Sequence, residues 1–342
     1  MELFAYELSQ ALAVKTEVRL VKWSGYGRLR AVLWALPSLF VRSFWDLLTH
    51  KTDVIHAHDS LLAPIALVLS RLFRKPFVVV VHGLDATYAN PLFRAVVPAA
   101  VRRANAVVCI SRATAETVQK AGVPADKIHQ LPLAVNDIIF GQSNRQELLR
   151  KLDLPANSQI LLSVGRLVPR KGVAWFVEHV MPQLRQQYPG LIYLVIGAGP
   201  DKSNVEAAVN KHNLNKSVRL LGSAEAGLLA SSYNGADIYV MPNIKVADDM
   251  EGFGLVLLEA ALCELPIVAS RLEGIEDAIQ DGKNGLLVPP GNSAAFIEQI
   301  SSLLNNAKAA RQFGKNSRRY TLAAYQWGKI ADRYLEVYGQ VG

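Results

Sequence analysis

Two glutamates eight positions apart, Glu251 and Glu259, flank a glycine-rich turn in the sequence E-G-F-G-L-V-L-L-E. Gly252 and Gly254 predict a place where bare backbone comes close to a ligand. From Leu255 onward, the 3.6-residue spacing of apolar positions predicts a helix. Carboxylates accept hydrogen bonds from hydroxyl groups, and the unpaired N–H groups of a first helical turn bind phosphate. The pattern therefore suits a nucleotide sugar.

Glu259 shares one face of this predicted helix with Leu255, Leu258 and Leu262. A carboxylate on an apolar stripe is unfavourable unless something hydrogen-bonds it. Ligand hydroxyl groups are one such partner. The other interpretation is an ordinary junction between turn and helix, where Glu259 meets a nearby arginine.

A basic loop, G-R-L-V-P-R-K-G at Gly165–Gly172, follows the predicted strand Ile160–Val164. Open α/β sheets bind ligands beyond the carboxyl ends of their strands. Arg166 and Lys171 would there hold a diphosphate and stabilise negative charge on its departing oxygens. Arg170 is instead expected to belong to a solvated basic turn.

Other predicted strands also end in residues suited to ligand contact. Ile196–Pro200 reads I-G-A-G-P, and its glycines are expected to let the backbone approach a ligand or the other domain. His82, in V-H-G, can hydrogen-bond a sugar hydroxyl or be a satisfied core histidine. His56 and His58 share one strand face, and His58, nearer the strand end, is the better candidate.

The sequence contains no recognisable set of metal ligands. It has no H-x-x-H and no Cys/His cluster, and Asp248-Asp249 is not the spaced pair that holds a divalent cation on a diphosphate. We therefore expect neither a metal nor another cofactor. Cys109 and Cys263 lie far apart in apolar runs, which favours a reduced, cytoplasmic setting.

The chain has 342 residues, of which 51% are hydrophobic and 19% charged, and this length suits two domains of about 150 to 200 residues. No stretch approaches 18 uninterrupted apolar residues, so we expect neither a transmembrane helix nor a signal peptide.

Most of the excess positive charge lies in the first half of the chain. Residues 1–150 carry 18 Lys and Arg against 11 Asp and Glu, a net charge of +7, whereas residues 151–342 carry 19 against 18. This bias suggests an anionic partner, either phospholipid headgroups or a phosphorylated acceptor. Nothing resembles a nucleic-acid-binding motif, and no nucleic-acid partner is expected.

Short apolar runs alternate with longer amphipathic ones, which predicts two doubly wound α/β domains with parallel sheets. The boundary is expected within Asn136–Ser158. The predicted strands are Val18–Val21, Val54–His58, Phe77–His82, Ala106–Ile110, Ile128–Leu131, Ile160–Val164, Ile192–Ile196, Val218–Leu221, Ile238–Met241, Ile267–Ala269 and Leu286–Val288.

The first predicted element is a helix, with an apolar stripe of Leu3, Phe4, Leu8 and Leu12. An α/β domain normally opens with a strand, which is absent here together with the turn that would follow it. We therefore expect either that a longer chain precedes Met1 or that the sheet closes without this strand.

The stretch Gly25–His50 is basic and rich in tryptophan, and three of the five tryptophans fall within residues 23–45. Its arginines are Arg28, Arg30 and Arg42. A basic amphipathic segment of this kind can lie on an anionic bilayer. The other interpretation is a core helix with a bend at Pro37.

With these elements placed, the chain resembles the retaining GT-B glycosyltransferases of family 4 along essentially its whole length. Several motifs in the right order carry the resemblance, namely D-V-I-H-A-H at Asp53–His58, V-H-G at Val81–Gly83, S-V-G-R-L-V-P-R-K-G at Ser163–Gly172, A-D-I-Y-V-M-P at Ala236–Pro242, E-G-F-G-L-V-L-L-E-A at Glu251–Ala260 and N-G-L-L-V-P-P at Asn284–Pro290.

The resemblance implies two Rossmann-like domains facing a cleft, with the first domain lacking its first strand. Residues 1–150 would form the acceptor-side domain and residues 151–320 the nucleotide-sugar-binding domain, and the helix in 321–342 would cross back to the first. The resemblance also implies roles for the site residues. Arg166 and Lys171 would bind the diphosphate, Glu259 the ribose, and Glu251 the transferred sugar, which His82 would also contact. The backbone amides near that sugar would be those of Phe253, Gly254, Leu255 and Val256.

The resemblance also implies sugar transfer with retention and without a metal, in which the leaving phosphate oxygen acts as the base. The expected acceptor is a glycan or a lipid-linked sugar, as in cell-surface polysaccharide assembly, at the cytoplasmic face of a membrane. The alternatives are a GT-B-type sugar-nucleotide epimerase, a phosphorylase, or a non-catalytic sugar-nucleotide-binding protein.

Overall fold

The structure is a computed structural model that describes residues 2–23, 29–83, 91–136, 140–141 and 143–342. Its strands are Ile55–Ala57 (β1), Phe77–Val81 (β2), Ala106–Cys109 (β3), Ile128–Gln130 (β4), Gln159–Val164 (β5), Leu191–Ile196 (β6), Val218–Gly222 (β7), Ile238–Met241 (β8), Ile267–Ser270 (β9) and Leu286–Val288 (β10).

Helices follow most of the strands. They are Glu2–Ala13 (α1), Leu29–Thr49 (α2), Ala63–Phe73 (α3), Pro91–Val101 (α4), Arg112–Lys120 (α5), Arg145–Leu152 (α6), Val173–His179 (α7), Met181–Gln187 (α8), Lys202–Lys211 (α9), Ala226–Gly235 (α10), Leu255–Leu262 (α11), Ile275–Ala278 (α12), Ser293–Asn305 (α13), Ala307–Ala324 (α14) and Trp327–Val341 (α15). Short 3₁₀ helices cover Ser60–Leu62, Ala125–Lys127 and Pro169–Lys171.

The chain folds as two compact units. Unit 1 comprises Met1–Ala134 and Trp327–Gly342, and unit 2 comprises Val135–Gln326. The boundary between the units, at Ala134 and Val135, therefore lies just before the boundary region Asn136–Ser158 that the sequence predicts. One reason is that α6 packs on α10 within unit 2, where Arg145 donates a hydrogen bond to Asp237 at 3.0 Å.

The sheet of unit 2 is parallel and doubly wound, with the strand order β10-β9-β8-β5-β6-β7. The order reverses between β5 and β8, so the loops that leave these two strands diverge at the carboxyl edge of the sheet. Aromatic side chains of Phe176, Tyr193 and Phe296 pack in the core beside it. A ligand site is expected at this reversal.

The described part of unit 1 holds a four-stranded parallel sheet with the sequential order β1-β2-β3-β4. The prediction of a strand at Val18–Val21 was wrong, because these residues pair with no strand of the described chain. An apolar extended segment becomes a strand only where a neighbour completes its hydrogen-bond ladder. Helix α1 buries Phe4, Leu8 and Leu12, whereas Leu3 is exposed, so the predicted stripe is one residue too wide.

Helix α2 accounts for most of the predicted basic segment, with Pro37 inside it. Arg28 lies outside the described residues, as do the side chains of Arg30 and Leu33. The interpretation of α2 as a core helix was wrong for Trp34 and Trp45, which are 74% and 65% exposed. Within the described residues, no helix combines the length and the hydropathy needed to span a membrane.

Candidate active site

The basic loop that leaves β5 is held in place by close backbone contacts. Gly197 and Gly199 lie so near it that an added Cβ would stand 1.8 Å from the Gly165 carbonyl oxygen and 2.1 Å from that of Leu167. Backbone hydrogen bonds join the same segments, from Gly165 N to Ile196 O at 2.9 Å and from Leu167 N to Ala198 O at 3.0 Å. The glycines of I-G-A-G-P therefore allow the basic loop to pack closely against them. The sequence-based interpretation expected a ligand or the other domain in that place.

The far end of the loop is fixed against β8. Gly172 has a φ of +65°, and a Cβ there would stand 1.9 Å from the Pro242 carbonyl oxygen. Only a glycine accommodates both the left-handed backbone and this approach. A small pocket at this point is lined by residues that include Gly165, Arg166, Lys171 and Asn243.

Lys171 and Glu251, both predicted site residues, form an ion pair with 2.6 Å between Nζ and Oε2. Arg170 also contacts Glu251, with 2.7 Å between Nη1 and Oε2. The prediction of a solvated Arg170 was wrong, because its side chain is buried between Glu251 and Asp249. Glu251 is buried too, so the cations compensate a charge that is largely shielded from water.

Three further contacts fix Glu251. Asn243 donates a hydrogen bond from Nδ2 to Oε2 at 3.0 Å, and Glu273 accepts one from the Glu251 backbone N at 2.6 Å. The Glu251 carbonyl oxygen accepts from Gly274 N at 3.0 Å. The Oδ1 atom of Asn243 is buried and has no hydrogen-bond partner among the described residues. Asn243 thus offers an unused acceptor atom on a residue that lines the pocket.

The charges in this cluster set its protonation. Burial would raise the pKa of the Glu251 carboxyl, but Lys171 and Arg170 outweigh it and hold that pKa below its usual value. Burial lowers the pKa of Lys171, and the Glu251 carboxylate opposes that change. Glu251 is therefore ionised near neutral pH and acts as a hydrogen-bond acceptor.

Arg166 differs from its neighbours in the loop. Its side chain is exposed, and the described part of the chain supplies no carboxylate partner for it. Among the cations of Gly165–Gly172, Arg166 is thus available for an anionic ligand without breaking an ion pair.

The glycine-rich turn leads directly into α11. Gly254, with a φ of +87°, is the residue before the helix, and Phe253 is buried with its ring centroid 6.1 Å from that of Tyr325. The Gly252 carbonyl oxygen would stand only 2.1 Å from a Cβ on Gly274. The N–H groups of Leu255 and Val256 belong to the first turn of the helix, where backbone donors have no intrahelical partner.

Glu259 lies one turn further along α11 and accepts a hydrogen bond from the Tyr233 hydroxyl at 2.8 Å. The interpretation of Glu259 as the partner of an arginine was wrong in the described structure, because a tyrosine from α10 fills that place. Burial raises the pKa of Glu259, and the hydrogen bond from Tyr233 opposes the change. The carboxylate keeps acceptor capacity for a second donor, such as a hydroxyl group.

His82, the remaining predicted residue, belongs to unit 1. Its Nε2 lies 2.8 Å from the His58 carbonyl oxygen, and its ring centroid is 5.1 Å from that of His58. Burial, together with the neighbouring histidines, lowers the pKa of His56 to about 4 and that of His58 to about 2. His56 and His58 are therefore neutral at physiological pH and suited to hydrogen bonding rather than to carrying charge.

Unit 2 thus brings together all predicted site residues except His82. Sequence reasoning missed Tyr233, Asp249 and Glu273, which carry no local signal because they act through partners far along the chain. Asn243 had a signal, since it is polar and directly follows the strand-ending proline of A-D-I-Y-V-M-P. Within the described residues, no group of three His, Cys, Asp or Glu side chains is arranged to hold a metal ion.

The folds of known proteins match this architecture. The structure of HepE from Anabaena in complex with UDP superimposes with a TM-score of 0.75 at 20% sequence identity, covering 89% of this chain and 82% of that one. The fold is GT-B, with two Rossmann-like units.

Curated sequences give the same class. Alpha-D-kanosaminyltransferase of Streptomyces kanamyceticus is 25% identical over 84% of this chain and 77% of its own length. A GDP-mannose-dependent phosphatidylinositol monomannoside mannosyltransferase of Mycolicibacterium smegmatis is 26% identical over 88% of this chain and 81% of its own length.

Family models cover nearly the whole chain. Residues 1–137 match Glycosyltransferase Family 4, and residues 144–320 match Glycosyl transferases group 1. The fold and the arrangement of basic loop, glycine-rich turn and paired glutamates define a GT-B glycosyltransferase. The chain belongs to the family Glycosyl transferases group 1, and the resemblance seen in the sequence is confirmed.

Proposed function

We propose that unit 2 binds a nucleotide-sugar donor at the strand reversal between β5 and β8. Arg166 and Lys171 bind the diphosphate, Glu259 the ribose hydroxyl groups and Glu251 the transferred sugar. The backbone from Gly252 to Val256 lies along the sugar and phosphate. The observation that carries this proposal is the contact between Lys171 and Glu251 at 2.6 Å, since it places a phosphate-binding cation beside a hydroxyl acceptor. The UDP bound to HepE supports a nucleoside diphosphate ligand.

The reaction that this site suits is transfer with retention of the anomeric configuration. The bond between the anomeric carbon and the diphosphate oxygen breaks, and the acceptor hydroxyl oxygen bonds to the same face of that carbon. The acceptor proton passes to the leaving phosphate oxygen. Lys171 and Arg166 stabilise the charge that grows on the diphosphate, so we propose that no metal and no other cofactor takes part. His82 contacts the donor sugar, as the family resemblance implies.

We propose a glycan or a lipid-linked sugar as the acceptor, at the cytoplasmic face of a membrane. The net charge of +7 in residues 1–150 favours an anionic acceptor over a neutral one. The mannosyltransferase of M. smegmatis, whose named acceptor is a phosphatidylinositol mannoside, supports a lipid-linked product.

Calorimetric titration with UDP, GDP and ADP tests the donor site. One of the three should bind, and Glu259→Ala should weaken its binding roughly 10- to 100-fold, as expected for hydrogen bonds to a charged group. His82→Ala should lower turnover and leave that affinity unchanged. Glu259→Gln is the matched control for folding, because its amide oxygen can still accept from Tyr233. Equal nucleotide affinity in the wild type and in Glu259→Ala would exclude the ribose assignment.

An anionic membrane surface is the further partner that we propose, at an apolar stripe on α2. Four exposed side chains, with exposures of 58 to 74%, recur at helical spacing over about 20 Å of helix: Trp34, Val41, Trp45 and Leu48. Packed beside it, α3 exposes Val68 and Leu72, and the rings of Phe44 and Phe73 join the two helices at 5.3 Å. A surface helix normally turns its apolar stripe inward, so an outward stripe supports an interaction surface.

Charged residues around this stripe favour lipid over another protein. Arg42, Arg71 and Arg74 are exposed beside the apolar side chains, while the Asp46 side chain of α2 is only 26% exposed. Tryptophan and arginine together are typical of helices that lie at the interface of an anionic bilayer.

Vesicle sedimentation tests this surface. The protein should bind vesicles that contain phosphatidylglycerol, bind less as salt rises, and bind pure phosphatidylcholine weakly. The double change Trp34→Ser and Trp45→Ser should lower the affinity at least about 100-fold, because each buried aromatic contributes roughly 1.5 to 3 kcal/mol. Val14→Ser is the control, since Val14 is exposed in the same unit but lies outside both stripes. Equal sedimentation of the protein with and without vesicles would exclude a membrane partner. If the protein without vesicles has the molar mass of a dimer and the double variant that of a monomer, the stripe binds a second copy of the chain instead.

A further inference from the structure

Arg170 is the most deeply buried cation of the basic loop, although its position suggested a solvated residue. It is 7% exposed, and two atoms of its guanidinium fork each contact a different carboxylate. Nε lies 2.8 Å from Asp249 Oδ1, and Nη1 lies 2.7 Å from Glu251 Oε2. The fork is planar and rigid, so the two contacts fix each other's direction.

The closest contacts of the Glu251 carboxylate are all made by one of its two oxygens. Oε2 receives hydrogen bonds or ion pairs from Arg170, Lys171 and Asn243, at 2.7, 2.6 and 3.0 Å. Oε1 accepts no hydrogen bond from the residues that the structure describes. A carboxylate can accept on both oxygens, so Oε1 is the atom available to a ligand hydroxyl.

A bound diphosphate would share Lys171 with Glu251. Its ammonium group has three donors on a flexible stem, so part of its interaction shifts to the second anion. When a diphosphate binds, Glu251 therefore loses part of its contact with Lys171. Arg170 is held by Asp249 and does not follow, so it and Asn243 remain on Oε2.

We propose that Arg170, anchored by Asp249, is a positioning residue that keeps Glu251 Oε2 engaged and presents Oε1 to a hydroxyl group of the transferred sugar. The inference rests on the proposed function. Arg170 makes no contact with substrate, and it acts only through Glu251. It links the two halves of the donor site, because the loop after β5 then orients the carboxylate that precedes α11.

The test compares Arg170→Gln, Arg170→Lys and Asp249→Asn with the wild type, first in titrations with UDP, GDP and ADP. One of these nucleotides should bind, and the affinity of each variant for it should stay within about threefold of the wild-type affinity. The reason is that nucleoside diphosphates lack the sugar that Glu251 contacts. With the matching sugar nucleotide, kcat should fall about 100-fold in Arg170→Gln, the size seen when a single transition-state contact is lost. Arg170→Lys should restore part of the loss, because it keeps the charge but not the fork. Arg271→Gln is the control, since Arg271 pairs with Asp281 on the surface of the same unit.

The pH profile separates positioning from a general loss of structure. The groups around Glu251 are Lys171 and Arg170 with positive charge, Asp249 and Glu273 with negative charge, and the Asn243 amide. Removing the positive charge of Arg170 raises the pKa of Glu251, so the acid limb of kcat/KM should move to higher pH in Arg170→Gln. In Arg170→Lys the limb should stay near that of the wild type.

Two results would overturn the inference. One is an unchanged kcat in Arg170→Gln, and the other is a parallel loss of kcat, nucleotide affinity and thermal stability without a shift of the acid limb. Failure of the proposed function gives a different pattern, because the wild type itself would then bind none of the three nucleotides.

Discussion

Replacement of Lys171 by alanine is expected to lower kcat with the sugar nucleotide about 100- to 1,000-fold, the loss measured when one preorganised donor to a developing charge is removed. Lys171 is the loop cation closest to Glu251, and its partly desolvated ammonium group stands where the pocket between β5 and β8 opens. Nucleotide affinity should fall as well, because the bound diphosphate loses a cation. Steady-state rates and calorimetric titration of the same preparation measure both effects.

The fold should tolerate this change, because Glu251 keeps the contacts of Arg170 and Asn243. Lys202→Ala is the matched control. Lys202 lies in the same unit and pairs with Glu206 on the surface, where ion pairs contribute little. If Lys171→Ala and the control Lys202→Ala both retain wild-type turnover, the assignment of Lys171 to the donor site is wrong.

The second large effect is expected from Gly172→Ala. The added Cβ would stand 1.9 Å from the Pro242 carbonyl oxygen, so either the basic loop or the end of β8 must move. Overpacking of this kind typically destabilises a protein by about 1 to 3 kcal/mol, and the left-handed backbone at φ +65° adds about 1 to 2 kcal/mol. Because Lys171 is the preceding residue, nucleotide affinity should drop at least tenfold.

Gly282→Ala separates the clash from the backbone effect. Gly282 has a similar φ of +74°, but nothing lies within 4 Å of an added Cβ. This control should lower the free energy of unfolding by only about 1 to 2 kcal/mol and leave nucleotide binding unchanged. Thermal unfolding and UDP, GDP and ADP titrations measure both variants. Equal behaviour of the two alanine variants would show that the contact with Pro242 does not hold the loop.

Most of the fold could be predicted from the sequence, because parallel strands buried on both faces are continuous apolar runs. Ten of the predicted strands match β1 to β10 with ends that differ by one residue or none. The strand at Val18–Val21 failed for a non-local reason, since its composition suits a strand but the described chain provides no neighbour for it. Composition reports what a segment can form, and pairing decides whether it does.

The segments that hold the candidate site also carry local signals in the sequence. Its turns carry glycines and its strand ends carry charges, and both are local signals in Gly165–Gly172 and Glu251–Glu259. The partners of those charges were not predictable. Arg170 was expected in water and is buried, and Glu259 was expected to meet an arginine and meets Tyr233.

The sequence by itself determined the class of the fold, the family and the segments that form the site, because hydrophobic period and glycine placement act over a few residues. Only the tertiary structure decided which atoms meet. Arg170 and Glu251 are 81 positions apart and contact because β5 and β8 are adjacent parallel strands, so the segments that follow them start side by side. That pairing places the two strand ends side by side, and the position of the Glu251 carboxylate follows from the packing of the loops beyond them.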